Sequence, residues 1–190
     1  MPSPRLSIVM PVYNEEATLR RIIERVLAAC GDFSEIIYVN DGSTDNSLEI
    51  LHECAREQDT VLTKENGGKG SAVYMGYEHV KAPYTIVEDA DLEYDPEEIP
   101  GLLAHAEQNN AGALYGSRRL KKQQQYVHYL FFLGGTMLTH ICNVLHGTRL
   151  TDQPTCYKLI KAEHLQHCRF REKDFRFDPE VTVMIARQGI

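Results

Sequence analysis

The stretch YTIVEDADLEYDPEEIP, Tyr84–Pro100, joins a strand pattern to a helix start through an acidic loop. Its first residues, Tyr84–Val87, form a short apolar run with β-branched members, which is typical of a buried strand. Asp95 followed by Pro96 is typical of a helix N-terminus, with aspartate as the N-cap and proline in the first turn. The acids between these two signals have no such local explanation: Glu88, Asp89, Asp91 and Glu93. They indicate either a solvated turn or a bound cation.

Strand and helix patterns alternate along the chain as far as Tyr115. Strands are predicted at Leu6–Pro11, Glu35–Val39, Thr60–Thr63, Tyr84–Val87 and Ala111–Tyr115. Helices are predicted at Ala17–Ala29, Asp45–Arg56, Ser71–Val80 and Pro96–Gln108. Such alternation favours βαβ units and a mostly parallel sheet in an α/β fold.

In a sheet of this kind, ligands bind beyond the carboxyl ends of the strands. The expected site therefore consists of the loops that follow four predicted strands: Tyr13–Glu16, Asn40–Asp45, Glu65–Lys69 and Glu88–Asp95. In the last of these, Asp89 and Asp91 form an Asp-x-Asp pair, whose hard oxygen ligands suit Mg²⁺ or Mn²⁺. The glycine-rich loop is not a P-loop, because Lys69 is followed by Gly70 instead of Ser or Thr.

The composition is that of a single globular domain, with 190 residues of which 43% are hydrophobic and 25% charged. The net charge of −7 argues against nonspecific binding to nucleic acid. Five cysteines without a CxxC pair indicate reduced thiols, and so a cytoplasmic location. We expect neither a signal peptide nor a membrane-spanning helix.

Taken in order, the loop sequences resemble those of glycosyltransferase family 2, whose members are inverting enzymes that use nucleotide-diphospho-sugars. The matching blocks are IVMPVYNEE (Ile8–Glu16), VNDGSTD (Val39–Asp45), NGGKGSAV (Asn66–Val73), VEDADLEYDPEEIP (Val87–Pro100) and YGSR (Tyr115–Arg118). Two later blocks, TDQPTCYKL (Thr151–Leu159) and FDPEVT (Phe177–Thr182), are similar to those of dolichol-phosphate mannose synthases and bacterial polyprenyl-phosphate glycosyltransferases. The resemblance implies one Rossmann-like catalytic domain over residues 1–190, with the three-layer α/β/α architecture of nucleotide-diphospho-sugar transferases.

The resemblance also implies a binding site for a GDP- or UDP-linked hexose and a divalent cation. Substrate contacts are expected from Pro11, Tyr13, Glu15, Asp41, Lys69, Asp89, Ala90, Asp91 and Arg118. Mg²⁺ or Mn²⁺ is expected on Asp89, Asp91 and Glu93. Asp91 and Arg118 are expected to be catalytic, Arg118 by neutralising phosphate charge at the reacting centre. Asn40 stands where the family usually has an acid.

The acceptor implied by this branch is a dolichyl- or undecaprenyl-type polyprenyl phosphate, whose oxyanion attacks the sugar without a general base. A saccharide hydroxyl is the alternative acceptor and requires a base, for which Asp152 is the candidate. A third hypothesis is a nucleotide-sugar-binding module that does not catalyse transfer. The basic residue that receives the acceptor phosphate in the branch has no Arg or Lys counterpart between Gln123 and Thr148. His128, or Lys121 with Lys122, would then bind the acceptor phosphate.

The segment Tyr126–Gly147 contains no Asp, Glu, Lys or Arg, yet it is too polar and too broken to span a bilayer. It predicts either an interfacial helix that contacts a membrane-bound acceptor or a helix that covers the sheet. The first of these implies peripheral contact at the cytoplasmic membrane face. The resemblance further implies that the family's chain continues beyond Ile190.

Overall fold

The computed structural model describes residues 3–118, 129–166 and 168–190. These residues form a six-stranded sheet in the order β3-β2-β1-β4-β6-β5. The strands are β1 (Leu6–Val12), β2 (Ser34–Asn40), β3 (Thr60–Thr63), β4 (Tyr84–Val87), β5 (Ala113–Tyr115) and β6 (Lys158–Lys161). β1 to β4 are parallel, whereas β6 runs antiparallel to both β4 and β5. The predicted mostly parallel sheet is confirmed.

Helices cover both faces of the sheet, which confirms the three-layer α/β/α architecture. They are α1 (Leu19–Cys30), α2 (Ser47–Cys54), α3 (Lys69–Tyr77), α4 (Ile99–Gln108), α5 (Tyr129–His146), α6 (Ala162–Leu165) and α7 (Phe177–Ala186). One core cluster joins α1, α2 and α4 to the sheet, and a second joins α3, α6 and α7 to the opposite face. In α1 the buried residues Leu19, Ile22, Ile23 and Val26 recur at helical spacing, which is why this face packs inward.

Several helix boundaries differ from the prediction by a few residues. The second helix was expected to begin at Asp45, but Asp45 lies in a turn and its carboxylate accepts a hydrogen bond from Ser47 N at 3.0 Å. A 3₁₀ turn, Pro96–Glu98, precedes α4, and Asp95 caps it as predicted by accepting from Glu97 N at 3.2 Å. Local side-chain hydrogen bonds of this kind compete with the regular helix.

The register of β1 with its two neighbours sets the depth of each loop. Val12 at the end of β1 lies opposite Asn40 of β2, but Val87 at the end of β4 lies opposite only Val9. The chain after Val87 therefore starts below the edge of the sheet, and Glu88 N still bonds to Val9 O at 3.0 Å. Glu88, the first acid of the acidic loop, is therefore buried, whereas Asp91 and Glu93 are exposed at the edge of the sheet.

Glycines bring α3 and its preceding loop close to other backbone. A Cβ on Gly76 would overlap Val9 Cγ1, so α3 lies directly against β1. Gly68 has φ +89, and a Cβ there would lie 2.6 Å from Lys173 O. Close packing of this loop fixes Lys69, the first residue of α3, at the carboxyl edge of the sheet.

Helix α5 is buried on one side and apolar on the other. Thr139 and Cys142 are buried, and the Thr139 hydroxyl accepts a hydrogen bond from Gln153 N at 3.1 Å. Its exposed apolar side chains are Leu133, Met137, Leu138, Ile141, Val144 and Leu145, each between 41% and 71% exposed. Within the part of the chain that the structure describes, no helix is long and apolar enough to cross a membrane.

Candidate functional site

A cavity of about 700 Å³ opens at the carboxyl ends of β1, β2 and β4. It lies where the strand-end rule places ligands in open α/β sheets. The predicted site residues that line it are Pro11, Tyr13, Glu15, Asp41, Lys69, Asp89, Ala90, Asp91, Glu93 and Arg118. Asp152 does not line the cavity but is hydrogen-bonded to Arg118. The structure thus brings these described candidates to one place, while their individual roles stay predictions. His128, Lys121 and Lys122 lie outside the described residues.

Tyr13 and Pro11 form the part of the cavity that follows β1. Tyr13 is 49% exposed, which leaves its ring available for stacking. Glu15 is held from two sides, since its backbone N–H bonds to Ser47 Oγ at 2.9 Å and its carboxylate accepts from Thr18 Oγ1 at 2.9 Å. The loop is therefore fixed, with an aromatic ring turned outward.

Asp41, at the end of β2, is engaged with the glycine-rich loop. Its carboxylate accepts from Lys64 Nζ at 2.6 Å, from Gly67 N at 3.0 Å and from Gly68 N at 2.8 Å. The sequence left Asp41 free to bind a ligand directly. In the structure, the Asp41 carboxylate instead holds the glycine-rich loop, which positions Lys69.

Asp89 is bonded to two side chains from distant parts of the chain. Lys69 Nζ lies 2.8 Å from each of its carboxylate oxygens. The thiol of Cys156 donates to the same carboxylate at 2.8 Å and accepts from Lys69 Nζ at 3.2 Å.

Burial lowers the pKa of Lys69, but the charge and hydrogen bond of Asp89 outweigh this effect, so the pKa of Lys69 is raised. Burial, with the adjacent Asp89, raises the pKa of Cys156 to about 12. Lys69 is therefore charged and Cys156 is a neutral thiol.

Asp91 and Glu93 are exposed at the rim of the cavity. Asp91 accepts a hydrogen bond from Glu93 N at 2.9 Å, and Leu92 between them has φ +64, an uncommon conformation for a branched residue. Among the described residues, no three His, Cys, Asp or Glu side chains converge as metal ligands would. The predicted set still fits a hard cation, because all three carboxylates line one cavity and the ammonium of Lys69 already sits on Asp89.

Glu88, the first acid of the loop, does not face the cavity. It is fully buried, its Oε2 accepts from Tyr157 OH at 2.6 Å, and its Oε1 has no hydrogen-bond partner. Burial raises its pKa to about 8, although the bond from Tyr157 opposes this. At neutral pH this carboxyl is mostly protonated, so it adds little negative charge to the site.

Arg118 and Asp152 form a fork of hydrogen bonds beside the acidic loop. Arg118 Nε donates to Asp152 Oδ2 at 2.8 Å and Nη2 donates to Oδ1 at 3.0 Å, while the backbone N–H of Arg118 also bonds to Oδ2 at 3.1 Å. The Asp152 side chain is 3% exposed and that of Arg118 42%. Hydrogen bonding to Asp152 raises the pKa of Arg118. The aspartate anchors the guanidinium, whose other edge reaches the cavity.

The later sequence blocks supply site residues that the sequence analysis did not assign. Cys156 and Asp178 from these blocks line the cavity, and Asp178 accepts from buried Lys158 Nζ at 2.8 Å. Phe175, which lies outside both blocks, lines it as well. Phe175 is 76% exposed, and Lys69 Nζ lies 5.8 Å from the centre of its ring. The blocks at Thr151–Leu159 and Phe177–Thr182 carried the signal, but their positions relative to the sheet were not readable from sequence.

The fold and site define an α/β protein with a polar cavity at the carboxyl edge of a mostly parallel sheet. Residues 7–168 match the family Glycosyl transferase family 2. The chain belongs to this family, as its loop sequences predicted.

Curated relatives include the undecaprenyl-phosphate 4-deoxy-4-formamido-L-arabinose transferase of Shewanella sediminis (strain HAW-EB3), which is 44% identical over 110 residues, 54% of this chain and 33% of the relative. The protein of the same description from Proteus mirabilis (strain HI4320) is 37% identical over 129 residues, 64% of this chain and 39% of the relative. The matched region thus spans between a third and two fifths of these relatives' length.

Solved structures with the same fold include glucosyl-3-phosphoglycerate synthase from Mycobacterium tuberculosis, at a TM-score of 0.72 and 18% identity over 98% of this chain and 68% of that chain. Another structure of that enzyme, in complex with Mn²⁺, UDP and glucosyl-3-phosphoglycerate, has a TM-score of 0.68 and 17% identity over 98% of this chain and 67% of that chain. S. aureus TarS 1–349 in complex with UDP-GlcNAc has a TM-score of 0.64 and 15% identity over 95% of this chain and 54% of that chain.

The buried carboxyl of Glu88 predicts a specific pH dependence of stability. Its folded pKa of about 8 lies above its ordinary value of 4.5, so between these two the folded state holds a proton that the unfolded state has lost. The contribution of Glu88 to stability therefore falls as pH rises through this window. Glu88→Gln, which imitates the neutral acid, is expected to be more stable than the parent at pH 8 and similar to it at pH 4.5.

Urea denaturation of both proteins across this range measures the difference. Glu97→Gln, at an exposed position on the neighbouring 3₁₀ turn, is the control and should follow the parent at every pH. A constant difference between Glu88→Gln and the parent would show that Glu88 does not titrate differently on folding.

Proposed function

We propose that this chain provides the donor-binding and catalytic part of a metal-dependent, inverting glycosyltransferase that moves a hexose from a nucleotide diphosphate to a polyprenyl phosphate. The observation that carries the proposal is a cavity lined together by Tyr13, Lys69, Arg118 and the later acids of the acidic loop. The curated relatives are described as transferases acting on undecaprenyl phosphate, which supports this acceptor class.

We propose one orientation for the donor in the cavity. The exposed ring of Tyr13 offers a stacking face for the nucleobase, while Lys69 and Arg118 supply positive charge farther along the cavity for the diphosphate. Asp89, Asp91 and Glu93 would hold Mg²⁺ or Mn²⁺. When bound, this ion would neutralise the negative charge of the diphosphate leaving group. A fork-shaped guanidinium suits phosphate oxygens, and its anchoring by Asp152 fixes its direction before the donor arrives.

The acceptor decides whether a base is needed. A phosphate monoester is already an anion at neutral pH and attacks the anomeric carbon directly, whereas a hydroxyl has to lose a proton. Asp152, the sequence candidate for the base, has both oxygens hydrogen-bonded to Arg118 and is almost wholly buried. We therefore propose that Asp152 positions Arg118, which agrees with a phosphate acceptor.

Helix α5 provides a surface for a lipid acceptor. Its exposed apolar side chains lie within one half of the helix circumference, opposite buried Thr139 and Cys142. An exposed apolar helix face of this kind is typical of interfacial contact. We propose that α5 rests on the membrane that holds the polyprenyl chain, at its cytoplasmic face.

The donor assignment is tested by thermal stabilisation with UDP and with GDP, each with and without Mn²⁺. Ligand binding to the folded state raises its stability with the logarithm of ligand concentration over the dissociation constant. One nucleotide is expected to raise the melting temperature only when Mn²⁺ is present, and Asp91→Ala is expected to abolish this shift. Asp32→Ala, an exposed acid at the other edge of the sheet, should keep it. If neither nucleotide shifts the parent protein, the donor site is wrong.

The role of Asp152 is tested by comparing Arg118→Gln, Asp152→Asn and the double variant in sugar transfer to undecaprenyl phosphate. If Asp152 acts through Arg118, each single change lowers kcat/KM by roughly 10- to 100-fold and the double variant is no worse than Arg118→Gln, because residues in one network are not additive. Losses that multiply in the double variant would show an independent role for Asp152, as expected of a general base and a hydroxyl acceptor.

The role of α5 is tested with Met137→Glu combined with Val144→Glu. These charges are expected to abolish sedimentation with phospholipid vesicles and transfer to undecaprenyl phosphate, but to spare transfer to a short, water-soluble prenyl phosphate, because only the lipid contact is lost. Ala28→Glu with Ala104→Glu adds the same charge to exposed positions on α1 and α4 and should behave as the parent. Vesicle binding that survives in the α5 variant contradicts the assignment.

A further inference from the structure

The ammonium of Lys69 occupies the place on Asp89 where a cation would bind. Its Nζ is equidistant, at 2.8 Å, from the two carboxylate oxygens, and the two side chains are only 15% and 14% exposed. The Cys156 thiol donates to one of these oxygens as well. Oδ2 of the predicted metal ligand therefore already accepts two hydrogen bonds from the chain itself, and Oδ1 lies in an ion pair with Lys69.

A divalent ion and this ammonium exclude one another on Asp89. A metal bound to carboxylate oxygens stands roughly 2.1 Å from them, so it would lie within a few ångströms of Nζ in a partly buried site. Like charges at such a separation repel strongly where water is scarce. A metal ion that binds both oxygens of Asp89, where Nζ now lies, therefore requires Lys69 to leave.

A diphosphate in the cavity would offer Lys69 a strong new partner. Its backbone is fixed by the packing of Gly68 against Lys173, but its side chain lines the cavity and is a flexible stem with a compact charge. The nearby acid Asp41 is already paired with Lys64, and Asp178 with Lys158. The two charges of a diphosphate would bind the displaced ammonium more strongly than water does.

We propose that Lys69 is a built-in substitute for the divalent cation, which leaves Asp89 for the diphosphate when metal and nucleotide enter together. This inference rests on the proposed function, because it assumes that the cavity takes a nucleotide diphosphate. Its consequence is that metal alone binds weakly, while metal and nucleotide strengthen each other's binding. The coupling is reciprocal, as linkage requires.

The test is direct binding of Mn²⁺, followed by the electron paramagnetic resonance signal of the free ion, with and without UDP or GDP. The variants are Lys69→Met and Lys69→Gln, the second of which keeps a hydrogen-bond donor for Asp89 without the charge. Without nucleotide, both are expected to bind Mn²⁺ about 10- to 100-fold more tightly than the parent, the range typical of coupled binding events. Nucleotide should then improve Mn²⁺ binding much less in the variants than in the parent.

Two controls locate the effect. Lys81→Gln removes the charge from a pair at the opposite, amino edge of the sheet, Lys81 with Glu35, and should leave the affinity for Mn²⁺ alone unchanged. Adding Asp89→Asn to Lys69→Met should remove the gained affinity, which shows that the ion binds at Asp89. Circular dichroism of each variant confirms that it is folded.

The outcomes separate this inference from the proposed function. If the parent binds Mn²⁺ with nucleotide but the Lys69 variants bind Mn²⁺ alone no more tightly than the parent, the substitution role is wrong and the donor site stands. If the parent binds neither nucleotide nor Mn²⁺ in any combination, both proposals are overturned.

Discussion

Compensation of negative charge at the carboxyl edge of the sheet is the constraint on which the site depends. Parallel strands bring their ends together, and in this chain those ends carry acids. Four aspartates at this edge are each paired with a Lys or Arg: Asp41 with Lys64, Asp89 with Lys69, Asp152 with Arg118 and Asp178 with Lys158. Partly buried carboxylates without such partners would repel each other and resist leaving water.

These pairs also connect segments that are far apart in sequence. Lys69 opens α3 and meets Asp89 after β4, while Cys156 joins both from the segment before β6. The cavity is therefore built by contacts between loops. Substitutions in pairs that contact each other are expected to have non-additive effects on stability. An ion or a phosphate entering this arrangement exchanges partners within a network of pre-formed charge pairs.

The acids of the stretch Tyr84–Pro100 differ in their environment and partners. Glu88 is buried and mostly protonated at neutral pH, Asp89 is paired, and Asp91 folds the loop by bonding to Glu93 N. Asp95 caps a helix turn and also accepts from Arg25 at 2.8 Å. A count of carboxylates in sequence thus overstates the negative charge that a ligand meets, because position relative to the sheet edge sets each ionisation and partner.

The sequence by itself determined five of the six described strands, four helices to within a few residues, and four of the loops that form the cavity, because hydrophobic period and turn residues act locally. It did not predict β6, α6 or α7. It also indicated the family, through blocks that keep their order along the chain. Only the tertiary structure decided the partners: that Asp41 holds the glycine-rich loop, that Asp152 anchors Arg118, and that Cys156 and Asp178 reach the cavity. These contacts join residues tens of positions apart, and their geometry follows from strand register and helix packing, which no local pattern encodes.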